Sequence, residues 1–342
     1  MTDLTRRQFI KTTTLASAAL GTLPLAGMPA TVIENIKIGI IGLDTSHSPA
    51  FAKLFNAANP EAALSGFKVV AAYPQGSTDI QSSVERIPEH TKEVQQYGVE
   101  IVDSIKKLLL KVDVVLLETN DGRPHLEQAR EVFRAGKPVF IDKPVAGSLA
   151  DVVTIYKEAS DKNIPLFSSS SLRYMKNVQA VRNENKIGKV LGADAFSPAS
   201  LEPHHPDLFW YGIHGVEVLF TVMGTGCETV TRFFTEETDV VVGKWKDGRL
   251  GTFRGTRNGK HDYGGTAYGT DGDINLGPFD GYEALARKIA DFFKTKLSPV
   301  DARETIEIYA FMEAADESKR KGGTAVSVEE VLKKAGYKVS RQ

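Results

Sequence analysis

At 342 residues with 42% apolar content, the chain is long enough for two domains and a substantial buried core. Its 42 basic and 43 acidic side chains leave a formal charge of −1 with no basic surplus, which argues against nucleic acid or an anionic membrane as the main partner. A single cysteine, Cys227, excludes an internal disulfide framework, and its apolar setting in FTVMGTGCETV reads as a buried structural thiol.

Residues 1–30 differ in kind from the rest. Arg6 and Arg7 are followed by Phe9, Lys11 and a weakly apolar run from Thr12 to Gly27 with no acidic residue, the layout of a twin-arginine export signal. The run is shorter than the ~20 apolar residues of a bilayer span and is diluted by Thr, Ser and Gly, so no stable membrane span is expected. The twin-arginine route carries folded proteins. The export machinery is therefore an expected partner, and a periplasmic or otherwise exported location follows.

From residue 36, short β-branched runs alternate with amphipathic stretches, as in a parallel α/β unit. IKIGIIG (36–42) is the first strand, and a helix beginning near Ser48 or Pro49 carries Phe51, Leu54 and Phe55 at helical spacing. GFKVVAAY (66–73) is a second strand. VEIVDSIKKLLLKV (99–112) supplies a short strand and a helix, and DVVLLET (113–119) a buried strand. PHLEQAREVFRAG (124–136) is a helix ended by Gly136, and KPVFIDKP (137–144) is a further strand. The helix SLADVVTIYKEASDKN (148–163) and strand IPLFSSSS (164–171) close this doubly wound unit.

Beyond about residue 175 come long alternating stretches between glycine-rich turns: VLGADAFSP, ETVTRFFTE, TDVVVGKWKDGRLGTFRGTR and GGTAYGTDGDINL. They predict a mostly antiparallel open sheet, with Asp247-Gly248 as a hairpin turn. Two amphipathic helices follow, over 282–296 and 302–322. The expected division is a signal over 1–30, a Rossmann-type dinucleotide-binding domain over 36–150, an α+β substrate domain over 151–330, and a tail over 331–342. Helices near 150–160 and 282–322 are expected to pack back on the first domain.

A dinucleotide-binding strand normally runs into Gly-x-Gly-x-x-Gly. Here the run is Gly42-Leu43-Asp44-Thr45-Ser46-His47, which keeps only the first glycine. A carboxylate at the second position costs bulk and repulsion, about 1 kcal/mol at 4 Å in water and several times that in a partly dry cleft. Thr45, Ser46 and Ser48 can still cap the following helix and offer hydroxyls to a phosphate, so anion binding is weakened and not abolished. At the end of the second strand, where such proteins carry an acid for the adenosine ribose, stands Pro74, and the next acid is Asp79.

The catalytic end reads differently. Oxidising a secondary alcohol by hydride transfer needs a proton acceptor beside the hydroxyl, a task for a lysine or histidine. Lys143 stands at the C-terminal end of a buried strand, where doubly wound folds bind ligands, and Pro144 forces the chain to turn there. Upstream of His214, EPHHPDLFWY holds Glu202, His204, His205 and Asp207. Their spacing matches no metal motif, so a polar loop over a substrate is expected and no metal site.

The stretch DVVLLETNDGRPHLEQAREVFRAGKPVFIDKPVA (113–146) resembles the Gfo/Idh/MocA oxidoreductases, the glucose-fructose oxidoreductase and inositol dehydrogenase family. SSSLRY, IGKV, YGIHGVEVLFTVMG, AYGTDGDINL and EAADESKRKGGTAVSV extend the likeness in order over roughly residues 36–328. The resemblance implies NAD or NADP as cofactor, with Lys143 and His214 as the catalytic pair. It places Gly42, Asp44, Thr45, Ser46 and His47 at the phosphate turn, and Thr119, Asn120, His125 and Asp142-Lys143-Pro144 toward the nicotinamide. In the family's Asp-x-Gly-x-His-x-x-Asp frame this chain has Trp210 for the first acid and Glu217 for the last. Arg173, Tyr174, His204, His205, Trp210, Tyr211 and Glu217 are the expected substrate contacts, and Trp210 has either a sugar face or the core to stack on. The implied activity is oxidation of a sugar, glycoside or cyclitol, in a homo-oligomer joined through the C-terminal sheet. The altered turn keeps open a non-redox sugar enzyme, performing glycoside cleavage or epimerisation with or without bound NAD, and a binding protein without turnover.

Overall fold

The computed structural model describes residues 35–338, so the expected export signal and residues 339–342 of the expected tail lie outside the described residues. The first half runs β1 (Ile36–Ile41), α1 (His47–Phe55), β2 (Phe67–Tyr73), α2 (Gln81–Gln96), β3 (Glu100–Ile101), α3 (Ile105–Leu109), β4 (Val114–Leu117), α4 (His125–Arg134), β5 (Val139–Ile141), α5 (Leu149–Asp161) and β6 (Leu166–Phe167). These strands pair in parallel in the order β3-β2-β1-β4-β5-β6. The order reverses between β1 and β4, the switch point beside which doubly wound sheets bind ligands.

Both faces of this sheet are covered, which is why its strands read as unbroken apolar runs. Val114 and Leu116 of β4 pack with Ile38, Phe51 and Phe140 on one side, while Val115 and Leu117 pack with Ile41, Val132 and Ile141 on the other. The sixth strand, Leu166–Phe167, lies beyond residue 150. Helix α2 has no counterpart in the sequence reading. It is a polar helix with Pro88 inside and only Ser83 and Val94 buried, so no apolar stripe announces it.

The second half continues through α6 (Lys176–Glu184), β7 (Val190–Pro198), α7 (Asp207–Trp210), α8 (Ile213–Met223), β8 (Cys227–Phe234), β9 (Thr238–Trp245), β10 (Leu250–Thr256), β11 (Gly264–Gly269), β12 (Gly272–Asn275), α9 (Glu283–Thr295), α10 (Ala302–Arg320), β13 (Val326–Ser327) and α11 (Val328–Lys334). Its seven strands pair in the order β12-β11-β7-β10-β9-β8-β13, antiparallel except between β7 and β10. Asp247-Gly248 turns the β9–β10 hairpin, with Leu250 opposite Lys244. Every residue of α8 is buried, as its nearly continuous apolar sequence requires. Helix α9 sends Leu285, Ile289, Phe292 and Phe293 into the cluster that holds Ile38 and Phe140, so a late helix completes the core of the first sheet.

The end of β1 is fixed by one close approach. Gly42 has φ +91, and a Cβ there would lie 2.5 Å from the Thr119 backbone nitrogen at the end of β4. Gly42→Ala is expected to cost about 3 kcal/mol, from the left-handed backbone and from overpacking together. Gly98→Ala, at φ +78 with open space around it, should cost about 1 kcal/mol. Urea unfolding of both variants measures the difference, and equal losses would remove the close approach as the cause.

Candidate active site

A cavity of about 230 Å³ includes residues from the turns that follow β1, β4 and β5. The first domain contributes Thr45, Ser46, His47, Asn120 and Lys143, and the second closes it with Tyr211, His214 and Tyr263. Lys143 arrives there because β5 stops at Ile141 and Pro144 turns the chain. Its Nζ lies 5.6 Å from the centre of the Tyr211 ring, and the Tyr211 and Tyr263 hydroxyls are 2.8 Å apart.

His214 is aimed by a buried polar chain. Its Nδ1 is 2.8 Å from the Ser170 hydroxyl. Glu217, one turn further along α8, accepts hydrogen bonds from the Ser169 hydroxyl (2.7 Å) and the Ser170 N–H (2.8 Å), which pins the serine run in place. Arg173 donates to Glu217 (2.7 Å) and Glu304 (2.6 Å) behind it. Burial, reinforced by the nearby charges of Lys143 and His47, holds the His214 ring well below its ordinary pKa. It is therefore a neutral imidazole with one nitrogen on Ser170 and the other left for a ligand.

The phosphate turn differs from its sequence reading in one respect. Asp44 does not face the cavity: it is fully buried, its Oδ1 accepts the Asn120 N–H at 3.0 Å, and a Cβ on Gly76 would be 2.2 Å from its Oδ2. Burial raises its pKa. The expected repulsion of a phosphate is accordingly reduced, because the carboxylate is turned away. Thr45 and Ser46 line the cavity in its place, while the Ser48 hydroxyl donates inward to the Gly42 carbonyl at 2.9 Å. The neighbouring loops are laced together by Ser77 on Asp121 and by Arg123, which grips Asp79 at 2.7 and 3.0 Å.

Third in the fingerprint, His47 is the first residue of α1 and places Nδ1 2.6 Å from Asp142 Oδ2. Burial works to raise Asp142, but His47 and then Lys143 outweigh it and hold that carboxyl below its usual range.

Other expected site residues go elsewhere. Arg173 and Glu217 form the buried support just described and do not line the cavity. Tyr174 is buried on the side of α9, with its hydroxyl pushed up to about 12 by burial. Thr119 turns its hydroxyl to Gln128 at 3.0 Å. The His125 ring sits between the carbonyls of Thr119 (2.7 Å) and Val145 (3.1 Å), joining the β4 and β5 loops from within. Trp210 packs its ring 5.4 Å from that of His205. The dense set before α8 does not converge: His204 pairs with Glu202 at the surface, Asp207 with Lys319 and Arg232, and His205 points to Asp121 at 3.9 Å. Arg86 and His90, on the unforeseen α2, do reach the cavity, as do Tyr263, Phe279 and Tyr282.

Comparison with known proteins gives this arrangement a setting. Residues 36–169 match the sequence model GFO_IDH_MocA, described as an oxidoreductase family with an NAD-binding Rossmann fold. That match covers the first domain. A 1,5-anhydro-D-fructose reductase from Ensifer adhaerens is 32% identical over 96 residues, which are 27% of this chain and 28% of that protein. The match therefore spans little more than a quarter of the relative's length. Among solved structures, scyllo-inositol dehydrogenase from Lactobacillus casei with bound NAD(H) and scyllo-inositol has a TM-score of 0.68 at 16% identity, over 86% of this chain and 99% of that one. An NAD-binding protein from Listeria innocua gives 0.65 at 16% identity, over 86% and 98%. These structures share the fold over 86% of this chain, a span that reaches into the second sheet.

The neutral state of His214 has a measurable consequence. An unfolded chain protonates this ring near pH ~6.5 and the folded one resists, so its stabilising contribution is complete above that value and is lost as pH falls below it. The thermal midpoint of the wild type should drop relative to that of His214→Asn between pH 7.5 and 5.5. A difference that stays constant with pH would refute the neutral ring.

Proposed function

We propose that the protein is an exported NAD(P)-dependent oxidoreductase acting on a secondary alcohol of a sugar, glycoside or cyclitol, with Lys143 and His214 as its acid–base pair. The observation that carries this reading is that Lys143, from the end of β5, and His214, from the second domain, meet in one polar cavity beside the switch point of an NAD-binding Rossmann fold. The named relatives, a sugar reductase and an inositol dehydrogenase, point to the same substrate class.

The residues present fit one end of a nicotinamide dinucleotide. At about 230 Å³ the cavity falls below the roughly 300–1,000 Å³ that enclose a drug-sized ligand, so it takes one polar ring or one end of a longer molecule. Asn120, Thr45 and Ser46 would hold that end, with the Asp44 carboxylate turned inward and Arg86 and His90 of α2 offering basic groups to phosphates. When bound, the nicotinamide supplies the hydride acceptor. Lys143 takes the proton of the reacting hydroxyl, and His214 hydrogen-bonds the same region through the nitrogen that Ser170 leaves free. Tyr211 and Tyr263 give the ring an aromatic wall. The outer face of the second sheet, where Phe196 and Tyr268 stand exposed, is the surface proposed for pairing of two copies.

One observation favours a second reading. Neither later fingerprint glycine is present, and His47 spends its ring on Asp142, so the same pair could perform cleavage or epimerisation without net redox change. Titration of the purified protein with NADH and NADPH, followed by fluorescence, separates the redox reading from the nucleotide-free form of the second. Binding of one nucleotide is expected, with Lys143→Ala lowering turnover on a sugar and inositol panel at least ~100-fold while nucleotide affinity stays within a few-fold. If neither nucleotide binds and none is released on denaturation, the redox reading is discarded.

Export rests on Arg6 and Arg7. No helix among the described residues is long and apolar enough to cross a membrane. The double variant Arg6→Lys, Arg7→Lys should leave the protein in the cytoplasmic fraction, and unchanged fractionation would remove the twin-arginine route.

A further inference from the structure

Beneath the cavity, the turns after β1, β4 and β5 bring three carboxylates inside the protein: Asp44, Glu118 and Asp142, each at most 1% exposed. Asp44 has the Asn120 N–H and Asp142 has the His47 ring. Glu118 is different. Both of its oxygens are buried without a hydrogen-bond donor, as is Oδ1 of Asp142. An ionised carboxylate in that position is strongly disfavoured unless a positive charge meets it.

Donor atoms of the right kind converge there. One ligand-type atom from each of His47, Glu118 and Asp142 lies within 4.8 Å of the others, and His47 Nδ1 lies 2.6 Å from Asp142 Oδ2. A cation held at ~2.1 Å by each donor spaces tetrahedral donors roughly 3.4 Å apart, a spacing that falls inside the 4.8 Å limit of the set. The three residues come from the first turn of α1, the end of β4 and the end of β5, which fixes them independently. The other charged groups facing Glu118 are Asp44 and Lys143.

We propose that His47, Glu118 and Asp142 form a binding site for one divalent first-row transition-metal cation. One imidazole and two carboxylates suit an ion such as Zn²⁺ or Mn²⁺. Ca²⁺ takes six to eight oxygen ligands, and copper(I) prefers sulfur. Three protein ligands leave a position open, and His47, which also lines the cavity, connects the site to it. The residue that replaces the third fingerprint glycine thus acquires a task of its own. The site requires neither nucleotide nor substrate, so it stands or falls separately from the reading above.

The test uses the full-length protein stripped with EDTA and dialysed against ZnCl₂ or MnCl₂. Metal analysis should find one ion per chain, the thermal midpoint should rise with metal concentration, and bound Mn²⁺ should give an altered paramagnetic resonance spectrum. Glu118→Gln, which keeps the shape and removes the charge, should weaken binding at least 100-fold, while Glu202→Gln at the surface leaves it unchanged. Should Glu118→Gln fail to fold, His47→Asn provides the same comparison. No binding of either ion at 1 mM, or unchanged affinity in the variant that folds, overturns the proposal and leaves a proton on Glu118 as the means of neutralising the cluster.

Discussion

The inward turn of Asp44 governs the geometry around the site. Its carboxylate takes the Asn120 N–H and lies against Gly76, and the bare Gly42 beside it lets β1 press onto the Thr119 backbone. Together these contacts tie the end of β1 to the loops that follow β2 and β4. The turn then sets Thr45, Ser46 and His47 along the cavity. A negative group at a phosphate-binding position looks prohibitive until its direction is known; once buried and hydrogen-bonded, it becomes a structural strut.

A second constraint comes from the other domain. Helix α8 is buried on every side, so its polar residues His214, Glu217 and Thr221 must be satisfied internally. Glu217 meets this by gripping the Ser169-Ser170 segment and Arg173, and Ser170 in turn holds His214. His214 is thus positioned by residues that do not line the cavity. Breaking a buried pair such as Arg173–Glu217 costs about 3–5 kcal/mol because it strands the remaining charge, so the support for the imidazole is also support for the fold.

Much of the architecture was legible from local pattern. The apolar runs of β1, β4 and β5, the Asp247-Gly248 hairpin and the late amphipathic helices follow from period and turn chemistry, which act over a few residues. Lys143 and His214, which line the cavity, were legible as candidates, one from its place at a strand end before proline and the other from a motif frame. Helix α2 was not: its polar surface carries no stripe, and its place is set by packing against α1. Arg86 and His90 were missed with it. Arg173 and Glu217 were read as substrate contacts because a charged residue in a motif looks alike whether it faces a ligand or another charge.

The sequence by itself determined the two sheets, the strand ends at which chemistry can sit and the residue types available there, because apolar periodicity and turn residues are local properties of the chain. Only the tertiary structure decided which way Asp44 points, that His47 reaches Asp142, and that Glu118 lies buried near that pair without a donor. Those facts depend on contacts between residues some 70 to 95 positions apart, and such distances leave no mark in a local pattern.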